Sequence, residues 1–364
     1  MKSTLPKPLA DDFRNRWQTF QTAAEAAGIP SFTNPAILDN LETVFALSEF
    51  VSASCTRDPT LLADLVQSGD LNARIKPEGY QRKFKELTTE INDENSLMDL
   101  LRRCRRRELV RIAWRDLTGR ADLTETMADL SAFADACLEH TLNILYQWQC
   151  ETLGVPTAAD GTKQQLIVLG LGKLGARELN FSSDVDLIFA YPKPGQTRGI
   201  GNSVSNEDFF LRLCRRLIKV IGQPTAEGFV FRVDLRLRPF GENGPLAMNF
   251  SAMERYYQEQ GREWERYALI KARTVAGDKA AGDHLLEQLH PFIYRRYLDY
   301  SAFESLREMK QMIARDVKRK GMAHDIKLGP GGIREVEFFG QIFQLIRGTA
   351  PGETCQHPDQ SRAE

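Results

Sequence analysis

This chain of 364 residues predicts an α+β fold: a mixed-sheet core set between a helical N-terminal region and a C-terminal helical segment. Three observations carry that expectation. From residue 11 to Cys150 glycine is scarce, and Leu, Ala and Phe recur at three- and four-residue steps, the period of amphipathic helices. Between Gln164 and Gly277 short apolar runs bounded by turn residues alternate with helical patterns. After Asp278 the helical period returns.

Taken in order, the first region contains a long helix over 97–117, which Gly119 is placed to end. A second carries Leu130, Phe133, Cys137, Ile144, Leu145 and Trp148 on one stripe. Two glycines and a proline between Glu151 and Gly161 break that period, so the helical region is placed at 1–155 and the sheet core at 156–277. Within the core, strands are expected over 165–169, 186–191, 229–237 and 268–275, with helices near 173–180 and over 206–221. Further helices are expected over 279–289, 301–320 and 332–347, which makes 278–348 a helical-bundle segment. Residues 349–364 lack any apolar period and are expected to be disordered.

Composition excludes several classes. Lys and Arg number 48 against 49 Asp and Glu, so no general electrostatic field holds nucleic acid. The six cysteines show no Cys-x-x-Cys pair and no disulfide spacing, and the five histidines show no metal-ligand spacing. No run approaches the roughly 20 apolar residues of a membrane span, and the N-terminus has no signal-peptide core. A cytoplasmic protein without membrane or nucleic-acid partners is the expectation.

The chemistry is concentrated in Gly170-x-Gly172-x-x-Gly175 and the following Ser182-Ser-Asp-Val-Asp186. Asp184 and Asp186 stand one residue apart where a strand begins, so their side chains share a face. Two adjacent carboxylates repel unless a cation lies between them, and hard oxygen ligands suit Mg²⁺, with Mn²⁺ as the alternative. In 229–237 the alternation puts Phe231, Val233, Leu235 and Leu237 on one face and Arg232, Asp234, Arg236 and Arg238 on the other. Asp234 offers a third carboxylate, and the arginines offer paired donors to phosphate oxygens. The glycine spacing also satisfies the dinucleotide-binding fingerprint. That reading fails on spacing, because only about ten residues separate Lys173 from Ser183 and the acids stand at the start of the second strand, not its far end. The glycines then serve to let backbone approach a nucleotide's phosphates, with Lys173 and Ser183 as donors.

A glycine turn, Ser-Asp-x-Asp on the next strand and a third Asp on a later one resemble the DNA polymerase β-like nucleotidyltransferase superfamily. Within it, Gly172-Lys-Leu-Gly175, 178–189, 233–241, 256–268 and 331–338 resemble glutamine synthetase adenylyltransferase over most of 95–348. That family carries two nucleotidyltransferase units in one long chain. The N-terminal unit removes AMP from a tyrosine of glutamine synthetase by phosphorolysis, and the C-terminal unit attaches it. One Ser-Asp-x-Asp unit behind a helical leader resembles the N-terminal half, and the chain stops before any second unit.

The resemblance implies Asp184, Asp186 and Asp234 as catalytic metal ligands, and Gly172, Lys173 and Ser183 along the nucleotide's phosphate. Arg236 and Arg238 are inferred to bind inorganic phosphate or the AMP phosphoryl group. It also implies glutamine synthetase as protein substrate and the PII signalling protein as partner. Three alternatives remain at this point: adenylylation from ATP, nucleotidyl transfer to nucleic acid, and an inactive regulatory module. Five arginines within 102–107 are expected on a solvated face or in intramolecular pairs. The charged word 259–266 reads equally as structural or as bearing on the active site, and Arg334, Glu335 and Glu337 read as a domain interface, a regulatory ligand site or a helix start.

Overall fold

The computed structural model describes residues 5–294 except 31, 33, 34 and 200–202, and beyond them 315, 319 and 325–347 except 328 and 330. The helix expected over 301–320 lies almost wholly outside the described residues, and the tail 349–364 lies wholly outside them. The chain divides into two compact units, each assembled from three stretches. The first is Met1–Trp148 with Arg177–Val185 and Arg215–Val233; the second is Gln149–Ala176, Asp186–Cys214 and Asp234–Glu364.

Helices build the first unit. They run α1 (Lys7–Ala26), α2 (Pro35–Leu47), α3 (Glu49–Arg57), α4 (Pro59–Ser68), α5 (Pro77–Leu87), α6 (Glu94–Leu117) and α7 (Leu123–Leu153). Three of the starts have a clear local cause. Pro occupies the first turn of α4 and α5, where its missing N–H costs nothing, and Asp93 caps α6 by accepting from the amides of Asn95 and Ser96 at 2.9 and 3.0 Å. Gly119 follows α6 at φ +67°, as its position in the sequence indicates. One core joins Phe20, Leu41, Phe45, Leu62 and Leu65 to Val110 and Trp114 of α6, all nearly inaccessible.

Three of the five arginines in the run on α6, Arg102, Arg106 and Arg107, are paired within the unit. Arg102 is buried and donates to the carbonyls of Met98, Val220, Gln223 and Gly228. Arg106 pairs with Glu227, and Arg107 with Asp64, Asp70 and Glu108. One turn on, Arg111 is fully buried and reaches Glu108 (2.6 Å), Asp129 (2.5 Å) and the Tyr80 hydroxyl (2.6 Å). The carboxylates compensate the guanidinium inside the core, which a lone buried charge could not survive.

The second unit carries a five-stranded mixed sheet, in which β5 (Val233–Asp234), β3 (Val185–Tyr191), β2 (Ile167–Leu171) and β7 (Arg273–Gly277) lie in that order. A short β6 (Ala247–Asn249) joins β3 in parallel. β2 is buried at all five positions, consistent with cover on both faces of an uninterrupted apolar run. A separate ribbon pairs β1 (Val155–Ala158) with β4 (Gly195–Arg198). Helices α9 (Asn206–Gly222), α10 (Phe250–Glu259), α11 (Glu263–Ile270) and α12 (Lys279–Ile293) follow, and a last helix covers Ile333–Arg347. Ile167, Leu169, Ile188 and Ala190 of the sheet pack with Met253, Tyr257, Leu285 and Leu289 of α10 and α12.

Three expectations are corrected here. The helix near 173–180 is a single turn, α8 (Gly172–Gly175), because Arg177 takes φ +60° and ends it. The strand expected over 229–237 shrinks to Val233–Asp234; the chain then turns through 235–241, with Pro239 unable to supply a ladder N–H. The strand expected over 268–275 is the end of α11 followed by β7. The charged words around α11 are structural: buried Glu265 accepts from the Tyr256 hydroxyl at 2.7 Å and from the Arg262 amide at 2.8 Å, closing the helix start. At 331–335 the Glu335 carboxylate accepts from the Gly331 amide at 2.9 Å, so this acid serves a helix start as well.

Candidate active site

β2 and β3 are antiparallel, with Leu171 opposite Asp186. A dinucleotide site needs parallel strands and a crossover helix between them, so the strand direction removes that reading altogether. The chain turns at α8, and Gly172 adopts φ +54°. A Cβ at Gly172 would lie 2.6 Å from Asp186 Oδ2, so the glycine leaves open the space beside that carboxylate. Asp186 is half-buried at the second residue of a strand otherwise buried throughout.

Gly175 serves a different purpose. A Cβ there would sit 2.0 Å from the Lys271 carbonyl oxygen and 2.7 Å from that of Gly170. The turn is thus pressed against the strand before it and the chain entering β7, and Arg273 ties it further by donating to the carbonyls of Leu174 (3.0 Å) and Gly175 (3.1 Å). Gly175→Ala is expected to lower stability by about 1–3 kcal/mol. A lower urea midpoint at unchanged slope would show it.

The remaining acids are held by arginines. In the first unit Arg232 pairs with Asp184 and donates to the Ser182 carbonyl at 2.6 Å, while Val185 N–H donates to the Arg232 carbonyl at 2.9 Å. In the second unit Asp234 accepts from the Arg236 backbone amide at 2.8 Å and from its Nε at 2.9 Å. Arg236 holds the Asp234 carboxyl below the usual range, against the opposing effect of partial burial. Among the described residues no group of three or more His, Cys, Asp or Glu stands at metal-holding spacing; Asp184 and Asp234 carry guanidinium partners instead. The donors themselves fit a hard divalent cation, being carboxylate oxygens with open space beside Asp186.

Lys173 is half-buried on α8, and its ammonium has no hydrogen-bond or ion-pair partner among the described residues. Ser183 turns its hydroxyl to Asn180 Oδ1 at 2.6 Å, folding the loop ahead of Asp184. Arg238 departs from its expected place on a phosphate-facing row. It is buried, and it donates to the carbonyls of Leu235 (2.9 Å), Glu242 (2.8 Å) and Gly244 (3.2 Å). The turn that replaced the long strand leaves those carbonyls without ladder partners, and Arg238 satisfies them. Sequence reasoning missed Phe240, which holds φ +62° two residues on, with its ring 4.4 Å from Tyr256. No compositional signal marks that position.

The site thus combines opposed strands closed by a glycine turn, an aspartate facing that turn and an acid on the neighbouring strand. Comparison with known proteins shows the family. The chain belongs to the glutamate-ammonia ligase adenylyltransferase family, whose model matches residues 38–288. It is 54% identical over 345 residues to a bifunctional glutamine synthetase adenylyltransferase/adenylyl-removing enzyme of Nitrosococcus oceani, covering 94% of this chain and 36% of that protein. It is 51% identical over 354 residues to the enzyme of the same name from Pseudomonas syringae pv. tomato, covering 96% and 36%. The chain thus spans about a third of the length of these relatives. A second family model, PII-uridylyltransferase, matches residues 307–361, most of which lie outside the described residues. No described helix is long and apolar enough to cross a membrane.

Proposed function

We propose that this chain removes AMP from an adenylyl-tyrosine of glutamine synthetase by phosphorolysis, releasing ADP, in the control of nitrogen assimilation. The observation that carries the reading is a Ser-Asp-x-Asp unit lying directly behind a long helical leader. In the family it resembles, that order belongs to the AMP-removing unit. The relatives' names, which join adenylyltransferase to adenylyl-removing enzyme, support the same substrate.

Asp184, Asp186 and Asp234 would hold Mg²⁺, or Mn²⁺, which when bound stabilises the charge that develops on the attacking and leaving oxygens. The chain's own side chains do the rest. Lys173 holds phosphate oxygens from the turn, and Gly172 leaves them room to approach. Arg236 is exposed and is released to grip the incoming phosphate once Asp234 binds elsewhere. Arg238 acts by positioning the 235–241 turn. An oxygen of inorganic phosphate bonds to the AMP phosphorus as the bond from phosphorus to the tyrosine oxygen breaks. That oxygen takes up a proton, and ADP departs. The PII signalling protein is proposed as the controlling partner, on the family resemblance.

The test is incubation with AMP-modified glutamine synthetase, Mg²⁺ and inorganic phosphate. ADP is expected, and it should vanish without phosphate and in Asp184→Asn. AMP transfer from ATP without phosphorolysis would reverse the direction, and activity on a nucleic-acid end would discard the substrate.

A further inference from the structure

The first unit contains a cavity of about 380 Å³ that takes no part in the chemistry above. Leu47, Phe50, Leu109, Leu117 and Phe181 form apolar wall, and Arg105 is its cation. The volume lies in the range of small-ligand pockets. Leu47, Phe50 and Phe181 keep 50%, 42% and 37% of their surface exposed, so the cavity is reached through an apolar rim open to solvent.

Arg105 differs from its neighbours on α6. Arg106, Arg107 and Arg111 each pair with a carboxylate. Arg105 has no carboxylate partner among the described residues, and its Nε is buried without a hydrogen-bond acceptor. Its guanidinium lies over the Phe229 ring, 5.1 Å from the centroid. Burial lowers its affinity for its proton; Cys137 opposes that, and the nearby cations Arg232 and Arg106 add to it. A desolvated cation without counter-charge is costly, and an anion arriving through the rim would supply what the protein does not. Arg105, Leu109, Ala113 and Asp116 follow one face of α6 at steps of four, four and three. Asp116, which accepts from the Thr126 hydroxyl, is about 16 Å further along the helix. It repels an anionic head at that end, leaving Arg105 as the place for one.

We propose that this cavity binds a small organic anion with an apolar body, its acid group on Arg105 and its body along Leu109 and Ala113. A medium-chain or aromatic carboxylate has that chemistry. Occupation bears on the candidate active site by two routes, one through the Phe229 ring under Arg105 and one through the wall residue Phe181. The Phe229 ring is shared with Arg232, 5.8 Å from its centroid, and Arg232 pairs with Asp184. Phe181 directly precedes Ser182, whose carbonyl accepts from Arg232. The binding site stands whether or not the phosphorolysis reading does.

Titration of the chain with 8-anilinonaphthalene-1-sulfonate is expected to show one saturable fluorescent site, emptied competitively by octanoate. Uncharged N-phenyl-1-naphthylamine should bind at least about tenfold more weakly. Arg105→Leu should weaken the sulfonate by a similar factor at unchanged circular dichroism, Arg105→Lys should recover part of the loss, and the exposed Arg103→Leu should change nothing. Equal binding of the charged and uncharged probes, or full sulfonate affinity in Arg105→Leu, overturns the proposal. Hydrogen exchange at 181–185 should slow when octanoate is bound; unchanged exchange there removes the link to Asp184.

Discussion

Asp186→Asn is expected to lower the rate of ADP release from AMP-modified glutamine synthetase by about 10³-fold, with the thermal midpoint nearly unmoved. Asn keeps the shape of the side chain and loses the charge, so a ligand for a divalent cation disappears without a cavity. Asp186 is half-buried at the turn end of β3 and faces Gly172, whose missing Cβ leaves that carboxylate its space. Gly172→Ala should therefore behave in the same direction: an alanine strained at φ +54° would press on Oδ2 from 2.6 Å. Steady-state kinetics with saturating phosphate separate these effects from loss of substrate affinity. Wild-type rates in Asp186→Asn would remove Asp186 from the machinery.

The largest loss of stability is expected at Arg111. Arg111→Met takes the cation from Asp129, leaving it only the Tyr80 hydroxyl, and takes one of three cations from Glu108; both acids are almost fully buried, and the change should cost about 3–5 kcal/mol in a denaturant titration. The same network sets an acid limit. Burial is the largest influence on Glu108 and by itself would push its carboxyl up; Arg111 and Lys83 outweigh it and hold the group below its ordinary value. A depressed carboxyl contributes stability that is complete above its unfolded pKa of about 4.3 and is lost as pH falls through the lower folded value. Wild-type protein should accordingly lose stability on acidification below about pH 4.3, and Arg111→Met should show a flatter acid limb. A steeper limb in the variant would contradict the pairing.

Periodicity made the helices legible. The stretch expected over 97–117 extends only to Glu94, where Asp93 caps it, and the stripe through Leu130, Phe133 and Cys137 lies on α7. The strand at 186–191 and the helix at 206–221 differ from the structure by a residue at an end. What misled was alternation. Arg232 to Leu237 reads as a strand because every second residue is apolar, yet Leu235 and Leu237 are only half-buried and the backbone turns after Asp234. Alternation records which side chains avoid water; whether a neighbouring strand is there to pair with is a matter of tertiary structure. The acids were readable from spacing, but their arginine partners were not. Arg232 and Arg238 look equivalent on paper, while one pairs with Asp184 and the other satisfies carbonyls of its own turn.

The discontinuity of the first unit has a consequence for synthesis. Arg102 on α6 is secured by carbonyls of Val220, Gln223 and Gly228, more than a hundred residues downstream. A chain emerging from the ribosome at about 5–20 residues per second therefore holds Arg102 by the Met98 carbonyl alone for several seconds after α6 is complete. Until residue 233 is out, the core around Phe45 and Trp114 has all its residues, while Arg102 still waits for three of its four carbonyls. The last stretch to arrive, Arg215–Val233, also carries Arg232, so the leader closes in the same step that gives Asp184 its partner.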